Sequence, residues 1–171
     1  LKSLIQFSKK KNSLISIELI ISDNPKAKGL KFGKIFKISS KVFNYKNKII
    51  AEKKIISEIT NKKIKLICLA GFMRILSKNF IKRFKGKILN IHPSLLPKYK
   101  GLNTHQRAIS NNEKYSGCTV HFVNSRLDSG KIILQKKVKI SKFDTAKSLA
   151  KKILIEEHKL YPKAIRKVFS L

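Results

Sequence analysis

The chain has 171 residues and a mass of 19.6 kDa, and it carries 40 Lys+Arg against 9 Asp+Glu, a net charge of +31. With 42% hydrophobic residues it can build a core, which excludes global disorder despite the charge, and its length suits a single domain over residues 1–171. The longest apolar run, Leu66 to Met73, is too short to span a bilayer, and the two cysteines, Cys68 and Cys118, exclude a disulfide scaffold, argue against zinc and fit a reducing, cytoplasmic compartment.

Leu1, Leu4 and Ile5 share one helical face in a basic, acid-free start. Ser13 to Ser22 is almost continuously apolar and β-branched, the pattern of a strand covered on both faces, and Asp23-Asn24-Pro25 ends it. A short helix is expected near Lys26–Phe32, a strand near Lys34–Ile38, and a helix from Asn47 to Thr60 with Ile49, Ile56 and Ile59 inward. Lys65–Phe72 reads as a buried strand, and Ser77 as the cap of a helix over Lys78–Phe84. Lys87–His92 is the next strand, halted by Pro93. Thr104–Asn111 is helical, Cys118–Val123 and Lys131–Ile140 are strands, and a long helix begins at Asp144, its N-cap. This alternation predicts an α/β fold, an open and mostly parallel doubly wound sheet with helices on both faces. In such sheets ligands bind beyond the carboxyl ends of the strands.

Polar residues cluster at those ends. Asn90 and His92 are two apart at a strand end, so they point to one side, and Pro93 keeps His92 extended. An amide and a protonated imidazole aimed together can stabilise an oxyanion, although a lone strand histidine also fits a structural role. Asp128, one of three aspartates, follows a strand in Asn124-Ser125-Arg126-Leu127-Asp128-Ser129-Gly130. It fits a plain turn; placed near His92, it would favour the imidazolium. In the last helix Glu157 interrupts the stripe of Ala146, Ala150, Ile153 and Leu160, and an inward carboxylate needs a partner or a ligand. His105, His121 and His158 have no metal-ligand spacing, and His121 fits a core position or a place beside the reacting groups. Neither GxGxxG nor GxxxxGK occurs.

Leu69-Ala70-Gly71-Phe72-Met73-Arg74-Ile75-Leu76-Ser77 and Ile88 to Leu102 closely resemble the phosphoribosylglycinamide formyltransferases. Gly117 to Val123, Leu127-Asp128-Ser129-Gly130 with Ile132 to Gln135, and Glu157 to Pro162 extend the resemblance along essentially the whole chain. The resemblance implies a Rossmann-like formyltransferase fold and transfer of the formyl group of 10-formyltetrahydrofolate to the amine of glycinamide ribonucleotide, without a metal. It puts Asn90, His92 and Asp128 at the family's catalytic positions. His92 and Asn90 would stabilise the tetrahedral oxyanion, with His92 giving the proton and Asp128 supporting it. Met73, Arg74, Ile75 and Leu76 match the segment that holds the pterin, and Asn124 to Asp128, with Leu127, match the loop over that ring. Lys48 stands where relatives carry a folate-contacting Arg, and Glu157 where a carboxylate bonds the substrate ribose. The resemblance also implies a first strand and a phosphate-cradling Gly/Ser/Asn turn ahead of Leu1, about a dozen residues in all.

The charge is read as background. Arg supplies only five of the 40 basic residues, and the lysines run from Lys2 to Lys167 without a confined block. A nucleic-acid surface that clamps phosphate leans on Arg, so nucleic acid is not the expected partner, and steering of small anionic substrates is compatible with the charge. The partners the resemblance implies are the two small molecules, glycinamide ribonucleotide and the folate, with no membrane. The rivals are methionyl-tRNA formyltransferase, which adds a C-terminal tRNA-binding domain, formyltetrahydrofolate deformylase, and a basic nucleic-acid-binding remnant.

Overall fold

Helices and strands alternate as far as β5 along the computed structural model, which describes residues 1–13 and 15–170. In chain order they are α1 (Lys2–Ser8), β1 (Ile20–Ser22), α2 (Gly29–Phe36), β2 (Ser40–Val42), α3 (Lys48–Asn61), β3 (Leu66–Leu69), α4 (Lys78–Arg83), β4 (Lys87–His92), α5 (Thr104–Ser110), β5 (Tyr115–Phe122), β6 (Ile132–Lys139) and α6 (Ala146–Phe169). The chain divides into two compact units. One is Leu1–Leu66 with Asn79–Gly86, and the other is Ile67–Lys78 with Lys87–Leu171.

In the first unit α1 buries Leu4, Ile5 and Phe7, so the basic start is a packed helix. β1 pairs parallel with β2, Ile20 facing Ser40 and Ser22 facing Val42, and α2 links the two strands. The expected strand over Ser13–Ser22 shrinks to Ile20–Ser22. Its residue Leu14 lies outside the described residues, and Ile15 to Leu19 form no strand. The expected strand at Lys34–Ile38 is wrong. Lys34, Ile35 and Phe36 complete α2, Lys37 ends it in the left-handed conformation, and the strand follows at Ser40. Apolar residues at Phe32, Ile35 and Phe36 also fit helical spacing, and a run this short does not separate the two periods.

Asn47 caps α3 by accepting from the Ile50 N–H at 3.1 Å. The inward stripe is Ala51, Glu52, Ile55, Ile56 and Ile59. Ile49, expected inward, is 69% exposed. Seven residues before Ile56, it has the right face, but the first turn of the helix is left uncovered.

The second unit holds the sheet β3-β4-β5-β6. β3 is shorter than the expected Lys65–Phe72, and its four residues are half-buried, in keeping with an edge position. β4 matches its expected limits. β4 and β5 pair antiparallel, as do β5 and β6, giving the sheet an antiparallel side. α6 lies against β5 and β6 and buries Leu149, Ile153, Leu160, Tyr161, Ala164 and Ile165. Each large aliphatic side chain fully buried there contributes roughly 1.5–3 kcal/mol. The Tyr161 hydroxyl lies 3.0 Å from the carbonyls of both Leu69 and Leu89 and gives its single proton to that pair.

α6 is capped one residue later than expected. Thr145 accepts from the Ser148 N–H, and Ser148 Oγ accepts from the Thr145 N–H. Asp144 instead accepts from the Ser141 N–H, Ser148 Oγ and Lys152 Nζ.

Candidate active site

The antiparallel register of β4 and β5 sets Asn90 opposite His121 and His92 opposite Thr119. Residues two apart on β4 share a side, so Asn90 and His92 both meet groups contributed by β5 and the loop after it. Asn90 Nδ2 lies 3.3 Å from His121 Nε2. His92 Nδ1 lies 3.4 Å from Asp128 Oδ2, and Asp128 Oδ1 lies 3.6 Å from His121 Nε2. Four side chains thus form one cluster, and both imidazoles are buried.

Backbone groups complete it. His92 Nε2 lies 2.8 Å from the Tyr99 carbonyl, and His121 Nδ1 lies 2.8 Å from its neighbour's carbonyl, that of Phe122. The Gly101 N–H donates to Asp128 Oδ2 at 2.9 Å. Tyr99, Gly101 and Asn103 all have positive φ, which curls this loop tightly enough for one of its carbonyls to reach His92 and one of its amides to reach Asp128. Arg107 Nη1 donates to the Lys100 carbonyl at 2.8 Å and holds the curl. Asp128 has φ 42°, a left-handed value that aspartate tolerates better than most residues. Beyond it, Gly130 lies so close to Phe122 that a Cβ there would strike the Phe122 carbonyl.

The charges agree with the geometry. Burial would raise the Asp128 carboxyl, but His121, the Gly101 N–H and the charge of His92 outweigh it and hold the group below its ordinary value. His105, on α5, is held below the ordinary histidine value by burial and then by the charge of His92. Its Nδ1 is buried without a hydrogen-bond partner among the described residues. Neither cysteine offers a nucleophile, since burial pushes the thiols of Cys68 and Cys118 up to about 12. Among the described residues no three His, Cys, Asp or Glu side chains come together to hold a metal ion, and no helix is long and apolar enough to cross a membrane.

Residues 1–165 match the formyl transferase family model. The chain belongs to the formyl transferase family. It is 43% identical to phosphoribosylglycinamide formyltransferase of Haemophilus influenzae, a match over 88% of this chain and 72% of that protein. Against the enzyme of the same name from Bacillus subtilis it is 35% identical over 99% of this chain and 89% of that one. It is also 40% identical to the human trifunctional purine biosynthetic protein adenosine-3, of which it spans only 17%. The crystal structure of phosphoribosylglycinamide formyltransferase from Bacillus halodurans superposes with a TM-score of 0.93, at 35% identity over 99% of this chain and 89% of that one. The Brucella melitensis structure does so with 0.91, at 40% identity over 98% and 88%. The resemblance read from the motifs and the α/β fold is therefore that of this family.

In this family member the other expected residues fall in several places. Met73 and Ile75, in the segment after β3, are 75% and 54% exposed, and Leu127 is 49% exposed. Arg74 is exposed, and Leu76 is buried. Asn124 is exposed and accepts from the Arg126 N–H at 2.9 Å, which shapes the turn ahead of Asp128. Glu157 is half-buried between Ile153 and Leu160 on the α6 stripe, and its charge raises the neighbouring Cys118 thiol. Lys48 is exposed at the start of α3, in the first unit, whereas the rest of the set lies in the second.

Sequence reasoning missed the part played by Tyr99, Gly101 and Arg107, and it left His121 open. A signal was available for His121. Its strand pairs with the one carrying Asn90, and a polar residue in an apolar strand needs a partner.

Proposed function

We propose that this chain transfers the formyl group of 10-formyltetrahydrofolate to the amine of glycinamide ribonucleotide, within purine synthesis. The observation that carries the reading is the buried cluster of Asn90, His92, Asp128 and His121 in a chain that belongs to the formyl transferase family. Relatives named phosphoribosylglycinamide formyltransferase support it over methionyl-tRNA formyltransferase and the deformylase. The match to the family model over residues 1–165 supports one formyltransferase domain over residues 1–171.

The bound folate supplies the formyl group. Asn90 presents an N–H to the formyl oxygen as negative charge gathers there during attack by the amine, and the positive charge of His92 favours that build-up. His92, with the Tyr99 carbonyl at Nε2 and the Asp128 carboxylate facing Nδ1, gives the proton. Asp128 sets its carboxylate against that ring, and burial, then the charge of His92, hold His105 below the ordinary histidine value. As the new carbon–nitrogen bond forms and the bond to the folate nitrogen breaks, that nitrogen takes a proton from His92, and the proton shed by the amine passes by way of Asp128 back to the ring, which restores the imidazolium.

Exposed Met73, Ile75 and Leu127 are suited to lie against the flat pterin, with backbone groups of Met73 to Leu76 reading its edge. Asn124 shapes the covering loop, Lys48 stands where relatives carry a folate-contacting Arg, and Glu157 takes the ribose hydroxyls. The partners are these two small molecules. Two free cysteines are consistent with the cytoplasm.

The test is formylation of glycinamide ribonucleotide by the natural protein that contains this chain. Turnover is expected, and His92→Ala abolishes it while folate binding, read by calorimetry, changes far less. No turnover refutes the reading, and full activity in His92→Ala overturns the role of that residue.

A further inference from the structure

Two buried imidazoles share one carboxylate in this cluster. His92 has 7% and His121 3% side-chain exposure, and Asp128 meets one with each oxygen. The hydrogen-bonding partners distinguish the two rings. His92 faces acceptors at both nitrogens, the Tyr99 carbonyl and the Asp128 carboxylate. His121 faces an acceptor at Nδ1, the Phe122 carbonyl, and its nearest group at Nε2 is the amide nitrogen of Asn90, a donor. That pattern fits a neutral ring with its proton on Nδ1 and its lone pair on Nε2. Asp128 Oδ1, 3.6 Å from the same Nε2, is the more distant of its two neighbours.

We propose that His121 is a positioning residue for Asn90: its Nε2 lone pair takes one N–H of the Asn90 amide and so fixes which end of that amide faces the reacting oxygen. An asparagine amide is nearly symmetric in shape, and turned over it would present a carbonyl oxygen where an oxyanion forms. Among the described residues that side-chain amide has no other hydrogen bond. The β5–β6 ladder is irregular beside the ring. Val120 pairs with Leu134 and His121 with Ile132, so Ile133 is an extra residue on β6 and the irregularity falls at His121. Bulges of this kind re-aim side chains beside reacting groups.

The inference rests on the proposed formyl transfer, and its test separates the two. Nitrogen-15 spectra of the imidazoles at neutral pH should show His121 as the neutral ring protonated on Nδ1, whether or not the protein turns over. A doubly protonated ring, or one protonated on Nε2, overturns the proposal. His121→Leu should lower kcat roughly tenfold or more, part of the ~100–1000-fold cost of deleting an oxyanion donor outright, with both KM values little changed. His121→Gln, which returns an acceptor near the Nε2 position, should recover most of that loss. In an Asn90→Ala background His121→Leu should cost little further, because the group it positions is gone. Independent, multiplying losses would sink the assignment. If His121→Leu fails to fold, the spectra and His121→Gln still decide it. A protein without turnover but with the expected spectra would refute the formyl-transfer reading alone.

Discussion

His92 Nδ1 lies 3.4 Å from Asp128 Oδ2, while Nε2 of the same ring faces the Tyr99 carbonyl at 2.8 Å. Neither neighbour can donate: the Tyr99 carbonyl accepts at Nε2, and the Asp128 carboxylate stands at Nδ1 as the counter-ion of a protonated ring. Asp128→Asn keeps the size and removes the charge, which leaves a buried imidazolium without its counter-ion. We expect kcat to fall roughly a hundredfold, the low end of what a positioned acid supplies, with smaller changes in KM. Steady-state kinetics check this, and an unchanged kcat would show that the carboxylate does not act through His92.

Glu157 gives a prediction that separates stability from binding. Burial pushes its carboxyl up from 4.5 to about 7. A carboxyl raised in the folded state contributes fully below its unfolded value, and that contribution is lost as pH rises through the folded one. The window therefore runs from 4.5 to about 7. Glu157→Gln should melt several degrees higher than the parent at about pH 8 and alike at about pH 4. Under the proposed ribose contact the same variant raises KM for glycinamide ribonucleotide. Equal melting temperatures at the higher pH would remove the burial account.

The turn that follows His92 hangs on one hydroxyl. Thr119 Oγ1, fully buried, donates to the Ser94 carbonyl at 2.7 Å and accepts from the Leu96 N–H at 3.1 Å and from Gln135 Nε2 at 2.9 Å. Gln135 also donates to the Leu96 carbonyl at 2.8 Å. Thr119→Val keeps the shape and strands the Ser94 carbonyl and the Leu96 amide. The expected loss is roughly 2–4 kcal/mol in urea unfolding. Gln135→Leu should cost less, because Thr119 still meets the backbone. A loss below about 0.5 kcal/mol for Thr119→Val would mean that the turn finds other partners.

Much of the site was legible because its signals are local. Lys87–His92 is bounded by Gly86 and Pro93, and the spacing of Asn90 and His92 fixes their common side whatever the strand pairs with. Asp128 was legible as a scarce acid after a strand, although only the folded loop brings it to His92. What stayed hidden depends on contacts distant in sequence. The Asn90–His121 pair spans 31 residues and the Gly101–Asp128 bond 27. Both need the register of β4 and β5 and the curl at Tyr99, which no short window contains. The fold failed where two local patterns compete. Lys34 to Ile38 is rich in the β-branched and aromatic residues of a strand, yet Lys34 to Phe36 complete a helix, and Asp144 looks like a cap while Thr145, with Ser148 three residues on, forms the box.

The excess of lysine leads to the last prediction. The proposed substrates are anions, since one carries a phosphate and the other carboxylates. A protein of charge +31 draws them in through long-range attraction, which salt screens over about 10 Å at 0.1 M. The reacting cluster is different: His92 and Asp128 have 7% and 9% side-chain exposure, so their short contact is screened little. Raising the ionic strength from roughly 0.02 to 0.3 M should therefore cut kcat/KM about tenfold, within the range known for electrostatic steering, and leave kcat nearly unchanged. If kcat falls in step with kcat/KM, salt is acting on the chemistry or the fold, and the lysines have no part in capture. If neither changes, their charge is background for this reaction.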